Sequence, residues 1–131
     1  MTTKLTPFLM FQGAAQEAIR RYVDLFDNGR VLSMDLYGPD EPGAEGTVRH
    51  AEFTIAGQTL RCIDSPAVHA FSFTPATSLF VDCDTEEQLR GLSDALGEGG
   101  AMLMPLGDYG FSRLFVWLND RWGVSWQLNL P

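Results

Sequence analysis

The chain has 131 residues, 45% hydrophobic and 20% charged, with a net charge of −8. That length suits a single domain, 1–131, able to bury about two-thirds of its unfolded surface without a metal or disulfide, and nine scattered Lys and Arg argue against nucleic acid or an anionic membrane as partner. No apolar run approaches the ~20 residues of a bilayer span, and MTTKLTPFLMF lacks a small-residue cleavage site, so the cytoplasm is the expected compartment.

Residues 8–12 alternate weakly and stop at Gly13. Residues 14–27 hold Ala14, Ala18, Ile19, Tyr22, Val23, Leu25 and Phe26 near helical spacing, and Asn28-Gly29 ends the helix. After VLSM (31–34) comes DLYGPDEPGAEG (35–46), with three Gly, two Pro and four acids, a pocket lid or a solvated loop. VRHAEFTI (48–55) reads as a clean period-two strand: Ala51, Phe53 and Ile55 on one face, His50, Glu52 and Thr54 on the other. Ala56-Gly57-Gln58 turns it into TLRCI, which puts Cys62 with Leu60 on an apolar face. Asp64 then takes a turn role before Ser65-Pro66, and His69 falls in the linker SPAVHAF. In the second half Asp84 caps a helix with Glu87 three residues on. The helix runs to about Leu96 and ends at GEGG, and strands follow near 101–105, 113–119 and 124–130. GEGG follows a helix and precedes a strand, the reverse of a phosphate loop, and no GxGxxG follows a strand. Cys62 and Cys83 form no CxxC and read as free, mostly buried thiols.

The two halves repeat. FLMFQGAAQEAIRRYVDLF (8–26) falls on SLFVDCDTEEQLRGLSDAL (78–96), VLSM on AMLM (101–104), and GQTLRCID (57–64) on GVSWQLNL (123–130). GTVRHAEFTIAG (46–57) falls on GFSRLFVWLNDRWG (110–123), with two extra residues assigned to the second turn. This alignment sets Trp117 on Phe53 and predicts a core role for it. Trp126 falls on the apolar face of the last strand, and Trp122 in the turn is expected in the core or at a dimer seam. Each half is strand, helix, then three strands: an α+β chain of two βαβββ modules, about 7–66 and 77–131.

That arrangement resembles the vicinal oxygen chelate superfamily of glyoxalase I, extradiol dioxygenases and bleomycin-resistance proteins. TPFLMFQGAAQEAIRRYVDLF, VRHAEFTIAGQTLRCIDS and LNDRWGVSWQLNLP look like its PhnB-like branch, often labelled 3-demethylubiquinone-9 3-methyltransferase. The resemblance implies two modules curling around a shared cavity, a small-molecule ligand and a homodimer. A methyl donor such as S-adenosylmethionine usually wants a Gly-rich strand-to-helix loop, which this sequence lacks.

Metal-dependent members take ligands from the first and last strands of each module. The matching positions here are Pro7 or Phe8 and Arg61, then Ser78 and Gln127. Pro and Phe donate nothing, Arg61 repels a cation, and Gln127 offers one weak oxygen, so no metal and no other cofactor is expected.

The polar residues support other chemistry. His50 and Glu52 share a strand face, where a carboxylate would fix an imidazole for acid–base work, or the pair is a solvated strand face. Arg61 and Gln127, with Ser78, Ser125 and Thr59 nearby in the pattern, would anchor an anion or carbonyl; alternatively Arg61 is ion-paired to Glu52. Phe8, Met10 and Phe80, on the first strands, complete the expected binding set. The leading expectation is a metal-independent enzyme on a small oxygenated substrate. The alternatives are a sequestering binding protein and a metal-dependent lyase or the labelled methyltransferase.

Overall fold

A computed structural model describes residues 2–131. Residues up to Ala70 form one compact unit and Phe71–Pro131 the other. In the first, β1 (Phe8–Phe11) leads into α1 (Ala15–Leu25), then β2 (Arg30–Leu36), β3 (Val48–Ile55) and β4 (Gln58–Asp64). In the second, β5 (Ser78–Asp82) leads into α2 (Glu86–Gly97), β6 (Ala101–Gly107), β7 (Leu114–Asn119) and β8 (Ser125–Leu130). The two sheets share one topology, β1-β4-β3-β2 and β5-β8-β7-β6. In each, the first strand joins the last in parallel and the other pairs are antiparallel. This is the α+β architecture of two βαβββ modules.

Each helix covers one face of its own sheet. Ala15, Ala18, Ile19 and Tyr22 of α1 are buried, as are Ala51, Phe53, Leu60 and Cys62 of the sheet, with Tyr22 and Phe53 rings 6.2 Å apart. In the second module Leu89, Leu92 and Leu96 of α2 are buried, as are Val116, Leu118, Trp126 and Leu128. Burying a large apolar side chain is worth about 1.5–3 kcal/mol, so these faces drive each module's folding.

Three local expectations are corrected. Asp64 is no turn residue: it is 1% exposed, and its Oδ1 accepts from the amides of Gly13 (2.7 Å) and Ala15 (3.1 Å), its Oδ2 from that of Val48 (2.9 Å). A carboxylate thus ties the end of β4 to the start of α1 and of β3, where the positive end of the helix dipole favours it. The N-cap of α2 is Thr85, not Asp84: Thr85 Oγ1 accepts from Gln88 N, and Gln88 Oε1 accepts from Asp84 N. β3 is not cleanly period-two, because the register with β2 shifts between Asp35 opposite His50 and Leu36 opposite Val48. Val48 is therefore buried and Arg49 exposed, and alternation starts only at His50.

Of the two readings of the loop after β2, lid or solvated loop, the second is favoured, because the loop holds onto itself. Tyr37 is buried, its backbone bonds Thr47 and Gly46, and a Cβ on Gly43 would lie 2.2 Å from its ring. Glu41 accepts from Gly38 N and pairs with Arg49 at 2.9 Å; these bonds hold its carboxyl below the ordinary carboxylate range, the Gly38 amide contributing most. Such cross-links suit a folded surface loop better than a hinged lid.

Candidate functional site

The face of each sheet away from its helix is where ligand chemistry is available. In the first module, register places Phe8 opposite Arg61, Arg61 opposite Glu52, and Glu52 opposite Ser33, one row across all four strands. Met10 is opposite Ile63, Thr54 opposite Thr59, and His50 opposite Asp35. Phe8 is 53% exposed, while His50, Glu52 and Met10 are half-buried.

Arg61 Nε donates to Glu52 Oε1 at 3.0 Å. Glu52 is therefore committed to Arg61, and no described residue hydrogen-bonds to the His50 ring. The carboxylate facing His50 across the strands belongs to Asp35. The pair leaves the remaining N–H groups of the Arg61 guanidinium fork to donate to an oxygen from elsewhere.

The second module's face repeats this plan with different chemistry. Phe80 is opposite Gln127, Gln127 opposite Trp117, and Trp117 opposite Met104. One flanking row runs Ser78, Ser125, Asn119 and Ala101; the other runs Asp82, Asn129, Phe115 and Gly107. Ser78 Oγ and Ser125 Oγ lie 2.7 Å apart, and Trp117 Nε1 donates to Ser125 Oγ at 2.8 Å. Trp117 is thus a half-buried residue of the open face, and its expected core role is corrected. Its counterpart is Glu52, because Glu52 faces Arg61 as Trp117 faces Gln127; Phe53 corresponds to Leu118. A slip of one residue flips a side chain to the other face. The same comparison makes Phe80, rather than Ser78, the counterpart of Phe8.

Trp126 is fully buried, as expected, and its Nε1 donates to Asp120 Oδ2 at 3.0 Å. Cys62 and Cys83 are free and buried. Burial pushes the Cys62 thiol up to about 12, helped by Asp64. Burial pushes the Cys83 thiol up to about 11. Neither presents a thiolate near neutral pH, so neither suits a nucleophile.

The metal that the vicinal oxygen chelate resemblance implies does not fit the donors present. Phe8 and Phe80 have no ligand atom, Arg61 is a fixed cation, and Gln127 contributes at most one carbonyl oxygen. Among the described residues no group of three or more His, Cys, Asp or Glu side chains gathers as a cation would need. A methyl donor held at a strand-to-helix turn fits no better. The amides of Gly13 and Ala15 at the start of α1 already bond Asp64, and the first turn of α2 is closed by Thr85 and Gln88.

Residues 3–129 match the family model described as 3-demethylubiquinone-9 3-methyltransferase. The chain belongs to that family. It is 53% identical to a Bacillus cereus PhnB protein bearing the same methyltransferase name, over 98% of this chain and 100% of the other, with a TM-score of 0.96. It is 26% identical to protein PA1353 of Pseudomonas aeruginosa, over 98% of each chain, with a TM-score of 0.85. A glyoxylase/bleomycin resistance protein/dioxygenase domain from Frankia shares the fold at 18% identity, with a TM-score of 0.59 over 99% of this chain and 98% of that one. Comparison with curated proteins gives no match. The PhnB-like resemblance and the glyoxalase-like fold are thus shown. No helix among the described residues is long and apolar enough to cross a membrane.

The sequence reading missed Asn129, Asp82, Tyr109, Phe111 and Phe115. Asn129 and Asp82 were within reach, since each lies two residues beyond a named site residue, Gln127 and Phe80, on the same strand face. Tyr109 and Phe111 lie in a loop, where alternation gives no signal.

Proposed function

We propose that this PhnB-like protein binds small molecules on the open faces of its two sheets, and does so without a metal. The observation that supports this most is the matched pair of rows, Phe8–Arg61–Glu52–Ser33 and Phe80–Gln127–Trp117–Met104. Each combines an exposed aromatic ring with a polar anchor, a composition suited to an oxygenated organic ligand. Arg61, steadied by Glu52, offers a charge-assisted bond to a carboxylate or carbonyl oxygen. Gln127 offers a neutral donor, Ser78 a hydroxyl, and Met10 an adaptable apolar contact.

Binding is favoured over catalysis because the expected His50–Glu52 dyad is replaced by the Glu52–Arg61 pair. A second reading remains, a metal-independent enzyme with His50 as acid or base, favoured by the position of His50 opposite Asp35. The protein is further proposed to act in the cytoplasm, where buried free thiols persist, and as a homodimer. The dimer proposal draws on exposed Val31, Leu32 and Leu36 on edge strand β2 and Met102 and Leu103 on edge strand β6.

The test is calorimetric titration with a panel of small carboxylates, ketones and aryl compounds. Arg61→Gln is expected to weaken carboxylate binding about tenfold. Binding indifferent to substitution of both Arg61 and Gln127 would remove the reading. His50→Gln separates the alternatives, since an enzyme loses turnover while a binding protein keeps its ligand.

A further inference from the structure

Asn129 carries a buried acceptor that the protein does not satisfy. It is 9% exposed and lies in register between Asp82 and Phe115. Its Nδ2 donates to Asp82 Oδ1 at 3.0 Å. A carboxylate only accepts, so this bond fixes the amide with nitrogen toward Asp82 and oxygen away. That Oδ1 is buried and has no partner, although buried polar atoms ordinarily find one.

Its surroundings are aromatic. Phe115 lies 4.9 Å edge-on from Phe111, 6.1 Å edge-on from Tyr109 and 6.4 Å from Phe80, and Tyr109 stacks on Phe111 at 6.3 Å. Phe80 and Phe115 belong to the strands flanking β8, so their contact reaches across the strand that carries Asn129. Yet Phe80, Tyr109 and Phe111 are 54%, 41% and 63% exposed, a large apolar area left in water beside an unfilled acceptor. Arg113, between Phe111 and Phe115 in sequence, is turned to Pro131 O at 2.6 Å.

We infer that this corner of the second module is a subsite for an aromatic group bearing an N–H donor, such as an aryl amide, amidine or heteroaryl N–H. The exposed Phe80 and Phe111 rings turn aside to uncover Asn129 Oδ1, the N–H donates to it, the ligand's ring packs on Phe80, Phe111 and Phe115, and Asp82 favours a ligand that is also cationic. The inference rests on the small-molecule reading and names the ligand chemistry of the second module's face.

The test uses the full chain and three probes of one shape in calorimetric titration: benzamide, benzamidinium and acetophenone, the last without an N–H. Benzamide is expected to bind about tenfold more tightly than acetophenone, and benzamidinium more tightly still. Asn129→Leu should abolish the preference of benzamide over acetophenone, and Asp82→Asn only the further gain of benzamidinium. Equal binding of benzamide and acetophenone by the unaltered protein overturns the inference without relying on any variant, as does a preference that survives Asn129→Leu. Failure of all three probes while carboxylates bind overturns this inference alone; failure of the entire panel overturns the small-molecule reading with it.

Discussion

Glu52 and Arg61 face each other across β3 and β4, joined at 3.0 Å, and the same two places in the second module hold Trp117 and Gln127. One fold position has become an ion pair in one half and an indole beside an amide in the other. The pair sits in water, with side-chain exposures of 46% for Arg61 and 23% for Glu52. Its worth to stability is correspondingly small. A double-mutant cycle with Arg61→Gln and Glu52→Gln should give a coupling of about 0.2–1 kcal/mol in urea unfolding, while binding of a carboxylate falls about tenfold. A coupling of several kcal/mol would show the pair to be structural rather than a ligand anchor.

Asp64 should behave in the opposite way. Its carboxylate accepts from three backbone amides in a buried setting. Asp64→Asn swaps one acceptor for an NH2 group that meets amide N–H groups head on. Hydrogen bonds to a charged group are worth about 1.5–3 kcal/mol each, and a disrupted buried site leaves several donors unpaired. Loss of about 3 kcal/mol or more is expected, read as a lower urea midpoint with an unchanged slope.

The fold was legible because its signals are local. Apolar spacing marked α1, alternation marked β3, and the pairing of halves marked the repeat. What failed was non-local. Between Gly46–Gly57 and Gly110–Gly123 the second half has two more residues, and a count between glycines cannot say where they go. Register places one ahead of β7, which moves Trp117 from the core to the open face. Asp64 was misread for a similar reason: its partners Gly13 and Ala15 are 51 and 49 residues away in sequence. The Glu52–Arg61 pair was foreseen as one of two alternatives, and only register and side-chain geometry chose between them.

The tryptophan assignment is open to a direct check. Trp126 is fully buried and bonded to Asp120, whereas Trp117 and Trp122 are partly exposed. In single-tryptophan variants, acrylamide should quench Trp117 and Trp122 emission and leave Trp126 nearly untouched. Trp126→Phe should also cost about 1–3 kcal/mol, because Asp120 Oδ2 loses a buried donor. Trp117→Phe should cost about 1 kcal/mol or less, since the Ser125 hydroxyl keeps Ser78 as partner.

The two thiols give a stability trend with pH. Their folded values of about 12 for Cys62 and about 11 for Cys83 lie above the ordinary 9.0. Above pH 9 the unfolded chain releases these protons while the folded chain keeps them. Stability is therefore full below pH 9 and falls from there toward pH 11 for Cys83 and pH 12 for Cys62. Urea midpoints measured from pH 7 to pH 10 should show the start of this decline, and Cys62→Ala with Cys83→Ala should flatten it. An unchanged slope in the double variant would assign the decline to other groups.

Metal removal should leave the protein as it is. A cation at about 100 times its dissociation constant stabilises a folded chain by about 2.7 kcal/mol, several degrees of melting temperature in a chain this size. In the first module the matching positions hold Phe8 and Arg61, a ring with no donor and a fixed positive charge, and in the second Phe80 and Gln127, which offer a hard cation one amide oxygen. Chelator dialysis followed by Ni²⁺, Zn²⁺, Mn²⁺ or Mg²⁺ is thus expected to leave the melt unmoved. A rise of several degrees with one of the four would mean that donors from other residues converge on that ion. In the first module Arg61→Glu supplies a carboxylate, but Phe8 opposite it still contributes nothing, so a response to metal there should require Phe8→His as well.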